Sequence, residues 1–478
     1  ILSLAQIQTV ASGDQDYAMT LNGLSQYATA EQGTAFVARS TYTVQAWINP
    51  TDVTCSLDDN TYCPFASHDG DYILAIGDGN ITAWVYYNDG TNKSIRWETG
   101  VPVSADTWQH VALVRSGADL TLFYNGQSAA TRTLASPNAS NYETAYPLKI
   151  GWHYNNQRFA GQIDEWRLYS TDRSAFIATD MHNYGPTNTD NLVAYYDFNE
   201  GPAGTTGTGT VYNRVDDADS ATNLRTVNSP TYTDVKETTS NGNNTVVTFP
   251  RSYLTAAGGW RVPEGVSSLD YFLVGGGGGG GMNVAGGGGG GGSTGGSLGV
   301  VGGDVSTVTV GQGGRGGVYV GTTGTASELH DGGSGGNSRL GNLQAEGGEG
   351  GQTLWSDNKC AGTGAGGAGG AGGGAGSGGA VGGAGGRGAN GADGDPGDPG
   401  YQNSISGANV TYGGGGGGGA PTAYSSGAGG AGGGGQGGAP GAVGSSGVGG
   451  LGGGGGGGGI NCSNGGSGGS GVVIVSYS

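Results

Sequence analysis

The sequence predicts an all-β protein in two parts: a two-sheet sandwich, then a small β-sheet domain carrying packed polyglycine-II helices. Three observations predict it. Residues 15–235 hold short alternating apolar and polar runs between turn residues, and only Arg173–His182 offers a turn or two of helix. Glycine is divided unevenly, 17 in residues 1–238 and 95 in residues 239–478. The glycine-rich half also ends in GVVIVSYS, a β-prone run that a solvated linker has no reason to carry.

The first part reads strand by strand. TYTVQAWINP places Val44, Ala46 and Ile48 on one face. YILAIGDG and ITAWVYYNDG each run into glycine-containing turns. WQHVALVRSG and LTLFYNGQ form a hairpin pattern around Ser116–Asp119. Many short strands at this spacing make a β-sandwich.

The order YAMTLNGLSQYATA, YTVQAWINP, TWQHVALVRSGADLTLFYNGQ, LKIGW…FAGQIDEWRLYS and LVAYYDFNEG resembles a laminin-G-like domain of the concanavalin A-like jelly-roll family. The resemblance implies an N-terminal two-sheet jelly roll. It implies burial of Trp108 and Val111, and a late core strand through Gly161, Ile163, Trp166 and Leu168. Asp164 and Glu165 are expected at its edge, facing solvent or a strand end. Such folds host lectins, adhesion modules and glycoside hydrolases, so fold alone gives no function. Retaining hydrolysis needs two carboxylates about 5 Å apart. The family's glucanases supply them as ExDxxE, and no ExD occurs here. Asp164 and Glu165 are adjacent and point to opposite faces of a strand. The chain is therefore expected not to be an enzyme, and His110, within WQHVAL, is expected to pack.

Two features could hold a ligand. GWHYNNQRF gathers Trp152, His153 and Tyr154 beside Asn155 and Asn156. Aromatic faces with neighbouring amides suit glycan recognition, although strand alternation could instead bury Trp152. HDGDY offers Asp69 and Asp71 as an edge site for Ca²⁺, an ion that needs six to eight oxygens. No other cofactor is expected.

The formal charge of −19, from 37 acidic and 18 basic residues, disfavours a nucleic-acid partner. No run of 18 apolar residues occurs, so no membrane span is expected. The chain begins at Ile1, which fits a mature protein freed of its targeting segment as well as a trimmed one. With one cysteine pair in each half, disulfides Cys55–Cys63 and Cys360–Cys462 are expected, in an oxidising compartment. There is no CxxC. Sequons stand at Asn80, Asn92, Asn138, Asn243, Asn409 and Asn461, a number that chance composition also yields.

Organisation follows composition. Residues 1–14 form an N-terminal arm, 15–235 the jelly roll, 236–274 the entry strands, and 275–478 the glycine-rich domain with a last strand at 471–478. SLDYFLV is the natural partner of that last strand. Seven- and eight-residue glycine runs occur at 275–281, 286–292, 413–419 and 452–459. From Gly364 to Gly400 every third residue is glycine, thirteen in succession. A period of three matches polyproline-II-type geometry. Collagen shares it, but only Pro396 and Pro399 lie there, too little imino acid for a triple helix. Without Cβ, neighbouring backbones can approach and bond laterally.

WRVPEGVSSLDYFLVGGGGGGGM, then VTVGQGG, then GGSGGSGVVIVSY resembles the glycine-rich domains of bacteriophage tail-fibre adhesins and of bacterial and environmental surface proteins. The expected function is structural and adhesive. The chain would be an extracellular or cell-surface subunit that self-associates into a fibre, with a jelly roll able to bind surface glycans. A virion receptor-binding adhesin and, from AGGAGGAGGGAG, an ice-binding protein are the alternatives. The apolar arm ILSLAQIQTV could donate a strand to a neighbour's sheet.

Overall fold

A computed structural model describes residues 15–30, 36, 40–56, 62–140, 146–154, 157–185, 189–201, 204, 209–215, 222–318, 330–353, 365–370, 384 and 393–478. The N-terminal arm, Asn155, Asn156, Cys360 and most of 364–392 lie outside these residues. The chain divides into two units, Ile1–Asp234 and Val235–Ser478.

The first unit is built from β1 (Tyr17–Asn22), β2 (Tyr27–Ala30), β3 (Thr41–Pro50), β4 (Cys63–His68), β5 (Tyr72–Gly77), β6 (Asn80–Asn88), β7 (Asn92–Pro102), β8 (Gln109–Ser116) and β9 (Asp119–Tyr124). It continues with β10 (Gln127–Thr133), β11 (Asn138–Ala139), β12 (Lys149–Ile150), β13 (Ala160–Tyr169), β14 (Leu192–Tyr196), β15 (Thr210–Val211), β16 (Leu224–Val227) and β17 (Thr231–Asp234). One sheet runs β10-β9-β8-β3-β13-β1-β17, with β14 beside β13. The other runs β11-β6-β5-β4-β12-β2-β16-β15, with β7 beside β6. Inward residues of both sheets form one core: Val44, Ala46 and Ile48 meet Leu74, Ile76 and Val85. The two-sheet sandwich expected from alternation is therefore present.

Turn chemistry fixes the register. Asn125 and Gly126, both at positive φ, close the β9–β10 hairpin. Gly161 has φ 135°, and a Cβ there would lie 2.2 Å from the carbonyl oxygen of Asn49, so β13 approaches β3 only through glycine. The expected helical turn is α1 (Ile177–Asp180). Arg173 clamps it, donating to both carboxylate oxygens of Asp180 at 2.7–3.2 Å. Cys55 and Cys63 are disulfide-bonded. Cys462 is disulfide-bonded as well.

Asp164 and Glu165 correct an expectation. Both are buried rather than facing solvent. A bulge between Asp164 and Arg167 interrupts the β13–β3 pairing, and Glu165 takes φ 49°. Its carboxylate accepts from Arg167 and from the hydroxyl of Tyr195, at 2.8 Å for the latter. Asp164 accepts from the Glu165 amide at 2.8 Å.

The second unit contains β18 (Glu237–Asn241), β19 (Asn244–Phe249), β20 (Trp260–Arg261), β21 (Ser268–Val274), β22 (Ser293–Gly299), β23 (Val305–Ser306), β24 (Val308–Thr309), β25 (Ser338–Leu340), β26 (Leu343–Ala345), β27 (Tyr401–Asn403), β28 (Val410–Tyr412) and β29 (Val472–Tyr477). Its main sheet runs β18-β19-β29-β21-β22. SLDYFLV and VVIVSY are paired antiparallel, as their composition suggested. Phe272, Val274 and Ile474 pack with Tyr412 beneath this sheet.

The glycine between these strands is ordered by lateral hydrogen bonds with a three-residue period. Along 275–281, the amides of residues 275, 278 and 281 donate to Gly292, Gly289 and Gly286. Those of 276 and 279 donate to Gly336 and Gly333, and those of 277 and 280 to Gly469 and Gly466, all at 2.8–3.0 Å. The carbonyls accept from three further segments, at Gly348 and Gly351, Gly314 and Gly317, and Gly455 and Gly458. This rod thus has six neighbours. A Cβ on any of its residues 275–280 would come within 2.2 Å of a neighbouring carbonyl oxygen.

Rod position explains composition. The four pure glycine runs are buried throughout. Perimeter rods carry a side chain on the outward row: Glu346, Glu349 and Gln352 are exposed at every third residue, as are Ala428 and Ala431. Interior rods need glycine at all positions, and perimeter rods only where they face a neighbour.

Candidate functional site

The outward face of the second sheet of the sandwich carries the candidate site. Its register places one continuous cross-strand row on that face. Arg225 pairs with Thr29, Thr29 with Lys149, Lys149 with Ser67, Ser67 with Ile73, Ile73 with Trp84, and Trp84 with Arg96. The adjacent row, through Ala28, Ile150, Ala66, Leu74 and Ala83, lies in the core, so alternation sends the first row outward.

The loop after β12 folds over this row. Ser67 donates its hydroxyl to the carbonyl of Trp152 at 2.9 Å. The indole of Trp152 is covered by its neighbours. Lys149 Nζ lies 4.1 Å from its ring centroid, the Arg158 guanidinium 4.7 Å, and the Tyr27 ring 4.6 Å. Trp152 therefore holds two cations against its ring. Lys149 also donates to the carbonyl of His153 at 3.0 Å. Burial holds the Lys149 ammonium below its ordinary pKa, against the opposing field of Asp69. Burial does the same to Arg158.

Beside the cations stands an aromatic and polar network. Tyr62 stacks on Trp84 at 4.2 Å. The Tyr62 hydroxyl and Gln157 Oε1 each lie 2.9 Å from His153 Nδ1. His153 Nε2 lies 3.7 Å from Asp69, which accepts from the Tyr86 hydroxyl at 2.7 Å. His153 first, then Tyr86, hold the Asp69 carboxyl below its ordinary range, against burial. Burial, then Asp69, push the Tyr62 phenol up to about 12, so it stays a neutral donor at physiological pH. Tyr154 is 61% exposed at the rim.

Two candidate sequence sites thus merge: Asp69, from HDGDY, meets His153, from GWHYNN. Asp71 separates from them. Its carboxylate bonds His68 Nδ1 at 2.8 Å in the interior, so Asp69 and Asp71 do not converge on one point. Sequence reasoning missed Lys149, Arg158, Arg225, Tyr62, Trp84 and Tyr86. Alternation within ITAWVYYN could have flagged Trp84 and Tyr86 as one face, but register across β16, β2 and β12 is not readable from two- and four-residue strands. All six sequon asparagines are at least partly exposed. Among the described residues no helix is long and apolar enough to cross a membrane.

Residues 22–175 match the family described as the concanavalin A-like lectin/glucanases superfamily. Residues 253–478 match the family described as a glycine-rich domain. The chain carries one domain of each kind. No curated protein matches it. Among solved structures it is similar to a protein from Bacteroides ovatus described as carbohydrate binding, at 18% identity over 46% of this chain and 60% of that one, TM-score 0.35. It is also similar to a pentraxin from Limulus polyphemus, at 16% identity over 34% of this chain and 81% of that one, TM-score 0.26. A domain of a Ruminococcus gnavus sialidase bound to α2,3-sialyllactose shares 14% identity over 34% of this chain and 96% of that one, TM-score 0.26.

Proposed function

We propose that this chain, joining a concanavalin A-like domain to a glycine-rich one, is an extracellular structural and adhesive protein whose sandwich binds glycans. The observation that carries the reading is the half-buried platform of Trp84 and Tyr86 beside Tyr62, edged by His153, Gln157 and Asp69. Stacked rings accept the apolar faces of sugars, and the amide, imidazole and carboxylate edges bond hydroxyls. The role is binding without catalysis, because Asp164 and Glu165 are tied up in the interior. The Cys55–Cys63 disulfide suits an oxidising, extracellular setting. The glycine-rich unit is the scaffold, and self-association into a fibre is its proposed use.

A glycan array probed with the full chain tests the binding. Trp84→Ala is expected to weaken retained glycans by about tenfold or more, as loss of one stacking ring does. An array on which no glycan is retained overturns the reading. Assembly is tested separately, by sedimentation over a range of concentrations.

A further inference from the structure

The glycan-binding reading leaves three cations unexplained. Lys149, Arg158 and Arg225 stand on or beside one outward row of the second sheet, in a chain that carries 37 acidic residues against 18 basic. Among the described residues seven ion pairs form, and none uses any of the three. Two of them share one indole, so like charges are held together and partly desolvated. Arg158 Nε is buried without a hydrogen-bond partner. Lys149 and Arg158 are thus half-buried together without a counter-ion among the described residues, while Arg225 stands exposed on the same row, and an incoming anion would offset the cost of holding the first two together.

From this we infer that the face takes a polyanionic saccharide chain, running along the row from Arg225 toward Trp84. This rests on the glycan-binding reading and names its ligand class. Arg225 and Lys149 are two strand spacings apart, about 10 Å, and Lys149 and Trp84 three, about 14 Å. A chain crossing the strands meets cations first, then the half-buried rings of Trp84 and Tyr86, which cover Ile73. An anion-bearing sugar polymer presents both chemistries, charged groups for the cations and apolar ring faces for the aromatics. A phosphate polymer fits the first half alone. The sulfate group and the uronate carboxylate share the required chemistry.

The test is binding of the full chain to immobilised dextran sulfate, hyaluronan, uncharged dextran and single-stranded DNA at several salt concentrations. Retention on dextran sulfate, on hyaluronan or on both, weakening as salt rises, is expected, and which of them is retained identifies the anion. Arg225→Ala and Lys149→Ala are each expected to weaken binding by more than about tenfold and to flatten the salt dependence. Arg132→Ala, on the opposite sheet, is expected to change nothing. Equal affinity for uncharged dextran, equal affinity for DNA, or no effect of Arg225→Ala overturns the inference. Failure is separable from that of the parent reading: uncharged dextran binding lost in Trp84→Ala keeps a glycan site and removes its anionic character. Absence of all saccharide binding removes both.

Discussion

A Cβ placed on Gly279 would lie 1.9 Å from the carbonyl oxygen of Arg315, two rods in lateral contact with no room for a methyl group. The same glycine donates its amide to Gly333 at 2.9 Å. Substitution therefore pushes one rod away and breaks the bonds on its other sides. Gly279→Ala is expected to destabilise the glycine-rich unit by about 3 kcal/mol or more. Glu349→Ala, on an outward row, is expected to stay within about 0.5 kcal/mol. Thermal unfolding of both variants checks the contrast. Equal melting temperatures would mean that the lattice does not hold the unit together.

The disulfide between Cys55 and Cys63 closes a loop with a sequence separation of 8, between β3 and β4. For a loop this short the chain-entropy model gives roughly 2–3 kcal/mol of stabilisation. Paired Cys55→Ser and Cys63→Ser substitution is expected to lower the unfolding free energy of the sandwich by that amount, and its denaturation midpoint accordingly. Urea unfolding without reductant measures it.

Arg173 and Asp180 form a buried, two-pronged ion pair. Arg173 also lies 4.6 Å from the ring centroids of Tyr169 and of Phe176. Removing the cation leaves a buried carboxylate without its counter-charge. Arg173→Ala is expected to cost about 3–5 kcal/mol, and Arg173→Lys part of that, since ammonium cannot reproduce the fork. Denaturant titration of the two variants ranks them.

Burial pushes the His182 imidazole down to about 4. Its unfolded value is about 6.5. As pH falls, the unfolded chain therefore takes up the proton first, and stability declines between about pH 6.5 and pH 4. Above that window the residue has no effect on the pH profile. Between pH 7.5 and pH 5 the loss from this residue is expected to reach about 1–2 kcal/mol. His182→Asn removes that share of the slope. A variant whose profile matches the parent's would show that His182 is solvated in the folded state.

The parts of this molecule that were legible in the sequence are those set by local rules. Alternation in TYTVQAWINP exposed a core strand, and Val44, Ala46 and Ile48 are all buried. SLDYFLV and VVIVSY were matched because both are apolar, β-prone runs in a half otherwise made of glycine, and they pair antiparallel. What stayed hidden depends on register and on exceptions to alternation. Asp164 and Glu165 are both buried because a bulge breaks the two-residue period. The row of Arg225, Lys149 and Trp84 joins strands more than a hundred residues apart, through pairings only two to six residues long. The period of three was visible in the glycine, but the distinction between interior and perimeter rods became readable only once neighbours were known.

β29 lies between β19 and β21, antiparallel to both, at the centre of the five-stranded sheet. Its Ile474 is 2% exposed and packs with Val246, Phe272 and Tyr412. The strands on either side belong to residues some 200 positions earlier, so the described glycine rods between 275 and 471 are closed into the unit by this one strand. Damage at Ile474 should therefore release the rods as well as the sheet. Ile474→Asp places a carboxylate among apolar side chains and is expected to cost about 4 kcal/mol or more. Ile474→Val is expected to cost about 1 kcal/mol. Hydrogen exchange reads the outcome directly. In Ile474→Asp the amides of 275–281 and 452–459 should lose protection together, while those of β3 and β8 in the sandwich keep theirs. Rods that stay protected in this variant would show that the lateral hydrogen bonds stand without the sheet.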